Sequence, residues 1–325
     1  MERLNAGAHT AQEPRVLILI SMAQPFVEEL QARWPLLVLP HAHAIAQLEA
    51  TQARGITAVV TNGTTGLSAA QMDALPELKI VCSYGAGYEQ IDVEAARARG
   101  IAVTHAPGVN NATVADHALA LMLASARGLP LLDRAVKAGQ WLSHRAARPT
   151  VHGKRLGIVG MGNIGTLIAR RAAAFDMEIF YHARNARREL PYHHVGSVLE
   201  LAQTSDFLIL ACPGGPATRH LVDRRVLDAL GPQGFLINIA RGSVVDTEAL
   251  MAALRQRGIA GAALDVIEYE PALPADAAQY DNLILTPHIS GRSPEAQLAQ
   301  HAALLANLHA HFAAQALTNQ VAVQH

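Results

Sequence analysis

Two doubly wound α/β domains, each carrying a parallel sheet, form the fold class this sequence predicts. From Arg15 onward, short apolar runs alternate with helix-patterned stretches, as in successive βαβ units. At 325 residues, half of them hydrophobic, the chain is long enough for two cores. In its second half, Gly160-Met161-Gly162-Asn163-Ile164-Gly165 stands between an apolar run and a helical stretch, where a strand must turn sharply into a helix.

The elements follow in order. Strands are expected at 16–20, 36–39, 58–61, 79–83 and 102–104, and helices at 25–33, 44–54, 68–75 and 93–99, which completes one doubly wound domain. After the loop Ala106-Pro107-Gly108-Val109, residues 110–127 predict a long connecting helix. Asn111 or Thr113 can cap it, and Val114, Ala118, Leu121, Met122 and Ser125 share one face. The second series has strands at 156–159, 178–181, 207–211, 235–238, 261–264 and 283–285. The helix after its first strand carries Leu167, Ile168, Arg171, Ala172 and Phe175 at helical spacing. A last alanine-rich helix over 293–312 can fold back onto the first domain and make it discontinuous. The expected division is 1–106 with 293–325, and 107–292. Ligands of open α/β sheets bind beyond the carboxyl ends of the strands, so a cleft between the domains is expected.

Each glycine of the 160–165 segment has its own task. Gly160 permits the tight turn, Gly162 lets backbone approach a pyrophosphate, and Gly165 lets helix and strand pack closely. The helix N-terminus adds free N–H groups and partial positive charge. A plain turn is the alternative in a chain with 24 glycines, but strand, turn, helix and strand occur here in sequence, which favours a dinucleotide site.

Composition narrows the function. A formal net charge of -1 gives no attraction to nucleic acid or to an anionic membrane. Two distant cysteines, Cys82 and Cys212, fit a reducing cytosol without a disulfide framework. The first 14 residues are polar and the 16–20 run is too short for a membrane span or signal segment, so a soluble cytoplasmic protein is expected. There are sixteen histidines, but pairs such as His41/His43, His193/His194 and His309/His311 lack accompanying ligands. No metal site is expected, and most of these rings read as solvated.

Three loops follow predicted strands on the rim where ligands bind: Asn238-Ile239-Ala240-Arg241-Gly242-Ser243, Leu264-Asp265-Val266-Ile267-Glu268-Tyr269-Glu270-Pro271 and Thr286-Pro287-His288-Ile289-Ser290-Gly291. They bring one fixed cation, several carboxylates and an imidazole to that rim. These segments, with Asn62-Gly63, Tyr84-Gly85-Ala86-Gly87-Tyr88-Glu89-Gln90-Ile91-Asp92 and Asn110-Asn111-Ala112-Thr113-Val114-Ala115-Asp116, give a resemblance over nearly the whole chain. The sequence resembles the D-isomer-specific 2-hydroxyacid dehydrogenases. It is most similar to their glyoxylate/hydroxypyruvate reductase and hydroxyphenylpyruvate reductase branch.

The resemblance implies a Rossmann dinucleotide-binding domain inserted into a flavodoxin-like substrate domain, a 2-oxo acid as small-molecule substrate, and a homodimer made through the region around Trp141. It places the family's arginine on Arg241, its glutamate on Glu270 and its histidine on His288. A guanidinium suits a planar carboxylate. An imidazole raised toward its protonated form by a carboxylate suits protonation of the developing alkoxide. Glu268 is the rival carboxylate, and the Glu-Pro pair favours Glu270. The amides of Ala86 and Gly87 match a second grip on the substrate carboxylate, while loops with Met22, Asn62, Gly63 and Tyr84 read its side chain.

The expected dinucleotide set is Gly160, Met161, Gly162, Asn163, Ile164, Gly165, His182, Arg184, Arg187, Cys212, Pro213, Thr218, Ile239, Ala240, Asp265 and Gly291. Asp265 contacts the nicotinamide amide or orders its loop, and Cys212 packs without acting as a nucleophile. No carboxylate follows His182 until Glu189, whereas Arg184, Arg187 and Arg188 intervene. A site of this kind does not repel a 2′-phosphate, and NADP is expected in preference to NAD. Glyoxylate and hydroxypyruvate lead as substrates, with an aryl-pyruvate as a bulkier option. A dinucleotide-sensing corepressor, or an oxidant of phosphonate, formate or a phosphorylated hydroxy acid, is the competing class.

Overall fold

A computed structural model describes residues 15–322; the polar first 14 residues and the last three, which fall within the expected first domain, lie outside the described residues. Internal contacts divide the chain into Met1–Asn110 with Ser293–His325, and Asn111–Arg292. The division falls at Asn110, later than residue 106, because the helix starting at Asn111 packs throughout against the second unit's core.

The first unit contains β1 (Arg15–Ile18), α1 (Gln24–Gln31), β2 (Leu36–Val38), α2 (Ala50–Ala53), β3 (Ile56–Thr61), α3 (Ala69–Asp73), β4 (Ile80–Ser83), α4 (Val93–Ala98) and β5 (Ala102–Thr104). Its sheet is parallel, in the order β2-β1-β3-β4-β5, so the winding direction reverses between β1 and β3. The carboxyl ends of β3 and β4 carry Asn62, Gly63 and the Ala86–Gly87 turn beside that reversal. The C-terminal helix Pro294–Phe312 returns to this sheet and buries Leu304 and Leu308 among Val16, Ile18, Val60 and Ile80. Each leucine contributes about 1.5–3 kcal/mol relative to exposure, which explains why the unit is discontinuous in sequence. His301 on the same helix is buried against Glu29 and stacked on Phe26, an exception among the histidines expected to be solvated.

The expected 44–54 helix is broken. A 3₁₀ turn at Ala42–Gln47 is followed by extended backbone at Leu48 and Glu49, and α2 starts afresh where the Glu49 N–H donates to the Gln52 side chain at 3.1 Å. Local capping overrides the apolar period there.

The second unit contains α5 (Asn111–Arg127), α6 (Leu129–Lys137), β6 (Arg155–Val159), α7 (Asn163–Ala173), β7 (Glu178–His182), β8 (His193–His194), α8 (Val198–Thr204), β9 (Phe207–Leu210), α9 (Arg224–Leu230), β10 (Phe235–Asn238), α10 (Thr247–Arg255), β11 (Gly261–Leu264) and β12 (Leu283–Leu285). Asn111 and Thr113 lie inside α5 and not ahead of it, so neither is its N-cap. The sheet is wholly parallel, in the order β12-β11-β10-β9-β6-β7-β8, and it reverses between β6 and β9. Helices cover both faces: α5 and α7 pack with Ile158, Ile209 and Ile237, while α8, α9 and α10 pack with Leu208, Leu210 and Leu236. Helix α6 was not expected from the apolar pattern, and its signal lies in Gly128, at φ 65°, followed by a proline in the first helical turn. Among the described residues no helix is long and apolar enough to cross a membrane.

Candidate active site

The β6 end and the β9 end meet at the sheet reversal, and the glycine loop occupies that point. Gly160 has φ 98°, and a Cβ there would stand 2.8 Å from the backbone of Ala211 and Cys212. A Cβ on Gly165 would stand 2.0 Å from the Gly160 carbonyl, so helix and turn touch as the spacing requires. Gly162 is different: nothing lies within 4 Å of its Cβ position. It leaves open space at the N-terminus of α7, where no side chain caps the helix. Among the described residues, no acceptor meets the amides of Asn163, Ile164 and Gly165. Gly162 and Asn163 are exposed, whereas Met161 and Gly165 are buried. A row of unmet N–H groups at a positive helix end, opening to solvent at Gly162 and Asn163, fits a pyrophosphate.

The neighbouring strand ends frame this opening. His182 accepts the Gly160 N–H through its carbonyl at 2.8 Å, and its Nδ1 lies 2.9 Å from the Val195 carbonyl. Beyond it, Arg187 donates to the Met161 carbonyl at 3.0 Å and pairs with Glu189. Glu189, the first carboxylate after β7, is held below its ordinary range by that guanidinium. Arg184 and Arg188 are exposed and have no hydrogen bond or ion pair with a described residue. Cys212 is half-buried, and burial pushes its thiol up to about 11, so it stays protonated at neutral pH. Pro213 is exposed, and its carbonyl accepts the Thr218 hydroxyl at 2.8 Å, which closes the turn. Ile239 and Ala240 are buried, and their N–H groups donate to the Leu210 carbonyl at 3.3 Å and to Asn238 Oδ1 at 3.0 Å.

The loops after β9, β10, β11 and β12 are laced together. The His220 N–H donates to the Ser243 carbonyl at 2.8 Å, and Gly242 approaches Ile267 so closely that a Cβ would overlap its carbonyl at 2.0 Å. Arg241 is half-buried, with its stem against Gly214 and Nη1 donating to the Ala240 carbonyl at 2.7 Å. Asn238 fixes this turn by accepting the Ala240 N–H and donating to the Arg241 carbonyl, each at 3.0 Å.

Three carboxylates on the β11 loop have separate tasks. Asp265 has no exposed side-chain surface. Its Oδ1 accepts the Thr286 hydroxyl at 2.6 Å and the Ile289 N–H at 2.9 Å, while Oδ2 accepts the Ser290 N–H at 2.9 Å. Burial works to raise its carboxyl, but these donors prevail and hold it below the usual range. Of the two tasks expected for Asp265, ordering the loop uses both of its oxygens. Glu268 is nearly buried and engaged by His220 at 2.7 Å, Thr247 at 3.0 Å and Arg219 at 3.2 Å, so it braces the loops. Glu270 faces His288, with its Oε2 2.9 Å from Nδ1. Burial opposes its charge, yet the bond to His288 and the attraction between them bring its carboxyl below the ordinary value.

His288 lies between the residues that Asp265 gathers. Its N–H donates to the Asp265 and Thr286 carbonyls at 2.8 and 3.0 Å, and its φ is 51°. A non-glycine residue held there costs about 1–3 kcal/mol, a cost tolerated where surrounding bonds over-determine the backbone. Its Nε2 has no hydrogen bond with a described residue. Gly291 lies within the following turn, which the Arg292 N–H closes on the Ile289 carbonyl at 2.8 Å. Two residues that sequence reasoning passed over belong to this network: His220, and His117 on α5, whose Nε2 is 3.0 Å from the Thr286 hydroxyl. His117 follows Val114 by three residues on the helix's inward stripe, where a polar residue is itself a signal.

In the first unit, Asn62 Oδ1 accepts the Thr64 and Thr65 N–H groups at 3.0 and 2.7 Å, and a Cβ on Gly63 would stand 2.7 Å from the Gly87 backbone. The Gly85, Ala86 and Gly87 carbonyls are tied to Ala106, His105 and Ser83. The Ala86 and Gly87 amides donate to no described residue, so two adjacent N–H groups are free. Among the described residues no cluster of three or more His, Cys, Asp or Glu could hold a metal ion.

Glyoxylate/hydroxypyruvate reductase A of Arabidopsis thaliana is 40% identical over 307 residues, which cover 94% of this chain and 98% of that protein. Hydroxyphenylpyruvate reductase of Plectranthus scutellarioides is 39% identical over the same shares. The crystal structure of an NADPH-dependent glyoxylate/hydroxypyruvate reductase from Sinorhizobium meliloti, in complex with NADP and malonate, matches with a TM-score of 0.88 at 36% identity, covering 95% of this chain and 97% of that one. Residues 119–290 match the family described as D-isomer specific 2-hydroxyacid dehydrogenase, NAD binding domain. The chain belongs to the D-isomer specific 2-hydroxyacid dehydrogenase family.

Proposed function

We propose that the protein reduces a small 2-oxo acid, glyoxylate or hydroxypyruvate, to the D-2-hydroxy acid with NADPH. The observation that carries this reading is the 2.9 Å bond between Glu270 and His288 Nδ1, which leaves Nε2 as the proton-bearing edge. A carboxylate on Nδ1 orients the ring, and Nε2 is then the nitrogen placed to hand a proton to a substrate oxygen. A bound nicotinamide dinucleotide would supply the hydride for the carbonyl carbon. As the carbonyl electron pair moves onto oxygen, His288 Nε2 gives up its proton to that oxygen, and Arg241 stabilises the developing charge. The two free amides of the Ala86–Gly87 turn offer a carboxylate a paired grip, and the neighbouring Asn62–Gly63 loop shapes the side-chain pocket. The relatives are named reductases, which favours an enzyme over a non-catalytic sensor.

The amides of Asn163, Ile164 and Gly165 would hold the pyrophosphate, with Arg184 on the 2′-phosphate. Arg187 is already engaged by Glu189 and Met161, whereas Arg184 is exposed and unengaged by described residues. This supports NADP over NAD. Leu129, Val136, Trp141 and Leu142 are large apolar side chains exposed within a short stretch of the second unit, and a homodimer would cover them. We place the enzyme in the cytoplasm.

A panel of 2-oxo acids followed by NADPH absorbance tests the reaction, and no turnover on any of them would contradict it. His288→Asn is expected to lower kcat by about 10²- to 10⁴-fold, and Arg241→Ala to raise KM as well; normal turnover in the histidine variant would refute the proton-donor role. Arg184→Ala should cut the NADPH-over-NADH ratio of kcat/KM by roughly tenfold, the loss of one charge-assisted phosphate contact. An unchanged ratio would remove Arg184 from the cofactor site. Sedimentation equilibrium should give twice the chain mass, shifting toward a single chain in Trp141→Ser; a monomeric wild type would exclude the dimer.

A further inference from the structure

His117 is tied to the loop that carries His288 by a directional chain of bonds. Its Nε2 is 3.0 Å from Thr286 Oγ1. That hydroxyl is 2.6 Å from Asp265 Oδ1. A threonine hydroxyl has one proton, and at this distance from a carboxylate the proton lies toward Asp265. Thr286 therefore accepts from His117, so His117 carries its proton on Nε2. Asp265 in turn accepts the Ile289 and Ser290 amides at 2.9 Å each. His288 lies between Thr286 and Ile289, with both flanks held by one carboxylate and its own N–H on the Asp265 carbonyl at 2.8 Å.

We propose that His117 is a positioning residue for His288: its N–H fixes the Thr286 hydroxyl, which fixes the Asp265 carboxylate, which sets the turn that aims the imidazole. The inference rests on the reading of His288 as proton donor. The base of the chain is firm because His117 is part of α5, whose Val114, Ala118 and Leu121 are buried in the second unit's core. It is 23% exposed at the side chain and lies 3.6 Å from Asp265 itself, so its ring both donates to Thr286 and screens the buried carboxylate. Without that donor, the Thr286 hydroxyl keeps its bond to Asp265 but loses its anchor on α5, and the turn gains freedom next to a residue held at φ 51°. A displacement of about an ångström at a reacting group costs up to roughly a hundredfold in rate, and it acts on kcat, because binding uses other residues.

The test compares His117→Phe, which keeps the ring and loses the donor, with His117→Gln, which keeps a donor. Glyoxylate reduction and NADPH affinity are measured alongside the melting temperature. The expected result is a ten- to hundredfold fall in kcat for His117→Phe, with KM and the NADPH Kd within about twofold, and substantial recovery in His117→Gln. Thr286→Val, which breaks the chain at its next link, should show the same pattern, and the double variant should be no slower than the worse single one. If His117→Phe does not fold, Thr286→Val against Thr286→Ser makes the same comparison. Full kcat in either donor-lacking variant, equal loss in His117→Phe and His117→Gln, or a loss confined to KM would overturn the inference while leaving the reductase reading in place. An inactive wild type would overturn both.

Discussion

The buried carboxylate of Asp265 is the constraint on which the rest of the site depends. A charge with no exposed surface is tolerated only when donors replace the lost water. Here the donors are the Thr286 hydroxyl and the Ile289 and Ser290 amides, which lie on either side of His288. The loop cannot leave without stranding the charge, a penalty of about 3–5 kcal/mol for an uncompensated buried ion. That exceeds the cost of holding His288 at φ 51°. The carboxylate therefore selects a backbone shape that the loop would not adopt by itself, and the shape presents the imidazole to Glu270.

Around this centre, each acidic residue of one short loop meets a different electrostatic environment. Asp265 builds the turn, Glu268 joins the loops through His220, Thr247 and Arg219, and Glu270 is left with His288. A single strand end delivers all three, and strand order places it beside β10, which carries Arg241. The second unit's sheet reversal between β6 and β9 leaves the Gly162 opening on the same edge of the sheet. The topology thus explains why the Gly162 opening and the Glu270–His288 pair share one rim: both occupy the carboxyl ends of parallel strands.

Much of this is legible in the sequence, because much of it is local. The glycine spacing shows where β6 turns into α7, and the contacts at Gly160 and Gly165 are the ones that spacing demands. The short apolar runs mark the strands, except β8, whose two edge histidines have no apolar pattern. Long-range features are harder to read. Asp265 meets partners 21 to 25 residues away, so its commitment to the loop is invisible without the fold. The choice between Glu268 and Glu270 depends on His220, 48 residues before Glu268. His117 stands one residue beyond a motif that the sequence does display, and only packing shows that it reaches Thr286. At α2, a local capping bond interrupted a period that composition alone had favoured.

The central claim is that Asp265 acts by holding the His288 loop. Turnover of Asp265→Asn at saturating NADPH and 2-oxo acid tests it directly, because the substitution keeps the shape but sets an amide N–H₂ against the loop's own donors. A fall in kcat of about a hundredfold or more, with the fold intact by circular dichroism, is the result this account predicts. A kcat within a few-fold of wild type, with only the KM for NADPH raised, would contradict it and make Asp265 a cofactor contact instead.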